Sequence, residues 1–82
     1  MTIEARFNMN SIAGKLRDGA YEITEGTTVA GFLELAQREA GYELTDEQKA
    51  SCVFVFNNSP AFYETELHES GKLRVMFKIL GG

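Results

Sequence analysis

The chain carries few side chains able to do chemistry, and they are scattered. His68 is the only histidine and Cys52 the only cysteine, and 12 acidic residues stand against 8 basic ones among 82, a net charge of −4. A metal site at His68 would have to recruit Glu64, Glu66 or Glu69, its near neighbours in sequence; a solvent-facing histidine in a turn is the simpler reading. Cys52 opens an apolar run with no cationic cluster beside it to activate a thiolate, so it reads as a core residue. Gly14-Lys15 lacks the first glycine and the closing Ser or Thr of a phosphate-binding loop. Asn57-Asn58-Ser59 has the pattern of a glycosylation acceptor, which matters only on secretion. The acids are not grouped as a general acid and base in one pocket would be. What remains is the chain end, Ile79-Leu80-Gly81-Gly82. Its two glycines have two readings. One is a frayed end; the other is an extended tail, free of Cβ atoms, that threads a narrow channel and offers its carboxylate as the reacting group.

Composition narrows the classes. An apolar content of 44 % suits one small globular domain and is too high for a disordered chain. The acidic balance argues against a nucleic-acid partner, which needs a basic field. A single cysteine excludes an internal disulfide framework and a thiolate zinc cluster. No apolar run approaches the roughly 18 residues of a membrane span. Met1 to Arg6 has no apolar signal core, so the expectation is a cytoplasmic protein without a membrane partner.

The elements that must position the tail follow from periodicity. Ile3, Ala5 and Phe7 alternate with polar residues, as in a half-buried strand. Met9 to Gly19 has loop composition, anchored by Ile12 and Leu16, and Tyr21 and Ile23 mark a second strand pairing back on the first. From Val29 the period changes: Val29, Phe32, Leu33, Ala36 and Ala40 form one face of a three-turn helix, capped by Thr28 and stopped at Gly41. Gly31 costs that helix roughly 1 kcal/mol relative to alanine, which suggests close packing there. Thr45 to Gln48 has the spacing of a capping box and predicts one short helical turn before Ser51. Cys52 to Phe56 reads as a central strand, Asn57 to Pro60 as a turn, Ala61-Phe62-Tyr63 as a short strand and Ser70-Gly71 as another turn. Leu73, Val75, Phe77 and Ile79 alternate along a last strand that runs into the glycines.

This order predicts an α+β domain: a mixed four- to five-stranded sheet with one main helix packed on one face. Pairing the first and last strands in parallel gives a β-grasp, or ubiquitin-like, arrangement. A single domain over residues 1–80 then carries a flexible Gly81-Gly82 tail, and with this order the threaded reading of the tail is the stronger one. Cys52 to Phe56 does not alternate, so both faces of the sheet carry apolar side chains, while the helix covers only one. Val53 or Phe54, with Met76 and Leu80, is thereby left for a partner or for the loop over residues 11–18. Lys72, Arg74 and Lys78 place positive charge near the tail, as a docking surface or as a solvated strand face.

The sequence resembles the sulfur-carrier branch of the ubiquitin-like proteins, the small subunit of molybdopterin synthase (MoaD) and the thiamine sulfur carrier (ThiS). Thr28-Val29 entering Phe32-Leu33 is similar to the family's Thr-Val-x-x-Leu-Leu helix start. Asn57 or Asn58 matches its asparagine after the central strand, and Leu67 and Leu73 match leucines around its turn. Gly81-Gly82 matches its tail. Three positions depart from the pattern: Glu69-Ser70-Gly71-Lys72 replaces Asp-Gly-Asp-Glu, Phe77-Lys78 replaces a Pro-Pro pair, and Gly31 replaces an acidic residue. The length is nearer the molybdopterin type and the tail nearer the thiamine type.

The resemblance implies a carrier and not an enzyme, with no bound cofactor. An adenylyltransferase of the ubiquitin-activating kind, using ATP and magnesium, would activate the Gly82 carboxylate. A persulfide donor enzyme would then supply sulfur, and the thiocarboxylate would be delivered inside a large synthase subunit or a cofactor-forming synthase. Gly82 would be the reacting residue and Gly81 would give clearance, while Leu80, Met76, Lys78, Arg74 and Phe54 are the candidate partner contacts. Two other readings share the fold: a ubiquitin-like modifier conjugated through Gly82, and a non-catalytic β-grasp binding subunit.

Overall fold

The computed structural model describes residues 1–8 and 15–78. Among them the order is β1 (Thr2–Asn8), β2 (Gly19–Glu22), α1 (Val29–Ala40), α2 (Asp46–Ala50), β3 (Cys52–Phe56), β4 (Ser59–Ala61) and β5 (Gly71–Phe77). The strands form one five-stranded sheet in the order β2-β1-β5-β3-β4. β1 and β5 pair in parallel at its middle, with Ala5 beside Leu73 and Phe7 beside Val75. All other pairings are antiparallel. The result is a small α+β domain with a mixed sheet and one main helix.

Alternation sorts each central strand into two faces. Ile3, Ala5 and Phe7 of β1 and Leu73 and Val75 of β5 are buried with Val29, Phe32, Leu33 and Ala36 of α1. Phe32 has no exposed surface. Its ring lies parallel to Phe7 at 6.3 Å and meets the Tyr21 ring edge-on at 5.0 Å. The helix carries its expected caps. Thr28 accepts from the Gly31 amide, and Gly41 is left-handed at φ 64°.

The remaining amides at the start of α1 are also satisfied. Val29 N donates to Thr65 O and Ala30 N to Tyr63 O, each at 2.9 Å, so the 62–68 segment closes the helix N-terminus. Beyond the other end, buried Gln37 donates to Leu33 O at 3.2 Å and accepts from Leu44 N at 2.8 Å. That pairing pins the chain as it leaves the helix. The capping box of α2 is complete, with Thr45 and Gln48 exchanging side-chain and backbone bonds.

Several expectations need correction. The short edge strand lies at Ser59–Ala61 and not at Ala61–Tyr63. Asn57 and Asn58 both adopt positive φ, 50° and 68°, which makes a two-residue hairpin turn, so pairing resumes at once at Ser59. Pro60 is tolerated because β4 is an edge strand. Ala40 is exposed and does not join the core face of α1. Gly71 begins β5 and is not a turn residue. At Gly31 the tight neighbour is local: a Cβ there would lie 3.2 Å from Thr27 Cγ2. Ile79, Ile12, the Leu80 contact and the Gly81-Gly82 tail lie outside the described residues.

Candidate functional site

β5 is the strand that leads to the tail. Its last residue, Phe77, pairs with Cys52, and the amide of Lys78 donates to Ser51 O at 2.7 Å. The chain is therefore held to the sheet up to the last described residue before position 79. Gly82, Gly81 and Leu80 lie beyond it.

The other proposed contacts separate by strand parity. Arg74 is exposed and Met76 half-buried on the sheet face away from α1. Lys78 is exposed at the end of the strand. Phe54 does not belong with them. It is 3 % exposed, on the helix side of β3, with its ring edge-on to Tyr63 at 4.9 Å. Alternation puts Val53 on the open face instead, where it is the ladder partner of Met76. Of the pair of candidates from this strand, Val53 is the surface residue.

The open face also holds residues that sequence reasoning did not single out. Arg6 lies directly beside Arg74 in the parallel ladder, and Val55 is the partner of Arg74 on the other side. Glu4 pairs with Lys72 one row away. A cleft of about 610 Å³ runs over these strands, lined by Glu4, Arg6, Asp18, Val55, Lys72 and Arg74. Among the described residues no carboxylate stands within ion-pair distance of Arg6, Lys72 or Arg74. The Asp18 carboxylate is engaged by the Phe7 amide at 2.8 Å. The alternation of β1 marked Arg6 as outward, but only the β1–β5 register brings it to Arg74.

The other candidates resolve into structure. Cys52 is buried, and burial pushes its thiol above the ordinary range, an effect the neighbouring Tyr63 hydroxyl partly offsets. Tyr63 donates to Lys49 O, and burial, reinforced by Cys52, raises its phenol strongly. A protonated, enclosed thiol is a poor nucleophile. His68 is exposed and sits between carboxylates, with Nε2 at 3.1 Å from Glu66 and Nδ1 at 3.6 Å from Glu25. Because the two acids face opposite ring nitrogens, the three groups do not converge on one point. Glu25, remote in sequence, was not foreseen as its neighbour; Glu64 and Glu69 form no ion pair with it.

No helix among the described residues is long and apolar enough to cross a membrane. No known family model matches the chain, and no curated protein matches its sequence.

Proposed function

We propose that the chain is a β-grasp sulfur carrier, activated and thiocarboxylated at Gly82, which donates sulfur in cofactor biosynthesis of the molybdopterin or thiamine type. One observation carries this reading most: the strand that leads to Gly81-Gly82 is central in the sheet, paired in parallel with the first strand and antiparallel with β3. A tail rooted in a central strand is delivered from a rigid base, as a chain end that must enter another protein's active site requires. Burial of Cys52 also supports it, since the chain then needs its sulfur from outside.

The chemistry belongs to the partners. A Gly82 carboxylate oxygen attacks the α-phosphorus of ATP on the activating enzyme, and pyrophosphate leaves. The mixed anhydride makes the carbonyl carbon electrophilic. A persulfide sulfur then attacks that carbon and AMP departs with the bonding pair. A thiol then attacks the donor's own cysteine sulfur and cleaves the S–S bond, taking that sulfur into a disulfide and leaving the persulfide's outer sulfur on the carbonyl carbon as the thiocarboxylate. This chain supplies the carboxylate, the narrow Gly81-Gly82 approach and the folded handle by which it is held.

Deleting Gly82 tests the assignment. The shortened chain is expected to keep its unfolding transition and to lose adenylation, read as ATP–pyrophosphate exchange with a competent activating enzyme. A shortened chain that still accepts sulfur would refute the role given to Gly82.

A further inference from the structure

We propose that the cleft over β1, β5 and the end of β3 binds a small phosphoanhydride anion, a chain of two or three linked phosphoryl groups. Four positions supply its donors. Arg6 and Arg74 stand side by side in the parallel ladder, Lys72 lies one same-face step along β5, and Asn57 closes the β3 side. All four are exposed. No carboxylate among the described residues lies within ion-pair distance of the three cations.

Charge, orientation and spacing point to this ligand. Like charges directly opposite on neighbouring strands destabilise a sheet, and Arg6 beside Arg74 is such a pair. A phosphoryl group between them turns the repulsion into two forked, charge-assisted contacts. The Asn57 carboxamide is already oriented: its Oδ1 accepts from the Lys72 backbone amide at 2.9 Å, so Nδ2 is the end left to donate. Neighbouring strands stand roughly 5 Å apart, and a same-face step along a strand is roughly 7 Å. One phosphoryl group therefore fits between the guanidinium groups, and a second, linked to it, comes within reach of Lys72 and Asn57. The cleft, about 610 Å³, is large enough for both. Glu4, the ladder partner of Lys72, and Asp18 line its β1–β2 side. Their charge pushes an anion toward β5 and β3. The donors do not include residues 79–82, so this binding is independent of the chemistry proposed for Gly82.

The test is an NMR titration of the full-length ¹⁵N-labelled chain with sodium pyrophosphate, free of divalent metal, against sodium chloride at matched ionic strength. The whole chain carries a net charge of −4, so general attraction would not bring this probe to it. Expected are saturable shifts at Arg6, Lys72, Arg74 and the Asn57 carboxamide, with binding that weakens as salt rises. Pyrophosphate should bind about tenfold or more tightly than inorganic phosphate. Arg6→Thr and Lys72→Gln, both at exposed positions, should each weaken binding by about tenfold and leave the fold's spectrum unaltered. Equal binding of ATP would admit a nucleotide as the source of the phosphate chain; exclusion of ATP would restrict it to the inorganic anion. The proposal is overturned if chloride reproduces the shifts, if they fall outside this cleft, if both variants bind like the parent, or if AMP or inorganic phosphate binds as tightly as pyrophosphate.

Discussion

The Asn57 carboxamide occupies the space that a side chain at position 71 would need. Its Oδ1 accepts from the Lys72 backbone amide at 2.9 Å, and the Asn57 backbone amide donates to Lys72 O at 2.9 Å. A Cβ on Gly71 would stand 2.7 Å from Asn57 Cγ. One residue, through its side chain and its backbone, thus ties the β3–β4 turn to the start of β5, and the position its carboxamide crowds is small. This accounts for a glycine at 71, immediately before the residue Asn57 holds.

Gly71→Ala should cost about 1–2 kcal/mol, because Asn57 must give up its bond to Lys72 to make room. Asn57→Gly keeps the positive backbone angle and removes the carboxamide. In that background the alanine at 71 should cost less, with a coupling of about 0.5 kcal/mol or more in a denaturation double-mutant cycle. Additive losses would show that the two residues act independently.

Arg6→Thr should stabilise the domain by about 0.2–1 kcal/mol. It removes a like charge beside Arg74 and places a β-branched residue on an exposed strand face. The gain should shrink as salt rises, since screening weakens the repulsion in the parent. Urea midpoints at two salt concentrations measure it, and a destabilised variant would contradict the account of this pair.

Alkaline pH should destabilise the domain. Burial raises Tyr63 strongly and Cys52 and Tyr21 in the same direction; Arg17 partly offsets the rise at Tyr21, and Tyr63 partly offsets that at Cys52. In the unfolded chain these groups ionise near their ordinary values, about 8.5 for a thiol and about 10 for a phenol. Above those values the unfolded state has lost protons that the folded state keeps, so stability falls as pH rises. Their contribution is complete below about pH 8.5 and drains away above it. Tyr63→Phe should lower stability at neutral pH, through the lost bond to Lys49 O, and make the alkaline decline shallower. Parallel pH profiles for the two proteins would contradict this.

Local features were the most legible in the sequence. Thr28, Gly41 and the Thr45–Gln48 box announce helix ends because caps are made by residues within a turn of one another. Parity errors cost more. Phe54 and Val53 are both apolar, and nothing within Cys52–Phe56 says which parity meets α1; the ladder with β5 decides it. The edge strand was displaced by two residues because Asn57 and Asn58 both turn left-handed, which shortens the turn. Arg6 beside Arg74 and Glu25 beside His68 are contacts between distant segments, and pairing register alone creates them. Gln37 reads as a polar helix residue until Leu44 returns to it from the loop.

The central claim is that Gly82 carries sulfur, and intact-mass measurement tests it most directly. The full chain is incubated with a competent activating enzyme, ATP, magnesium and a persulfide donor. The expected result is a gain of one oxygen-to-sulfur exchange, localised to the terminal glycine by fragmentation and absent when ATP is withheld. A ladder of lysine conjugates in place of that increment would make the chain a protein modifier. An unchanged mass, with the activating enzyme shown to be active on another carrier, would contradict carriage and conjugation alike.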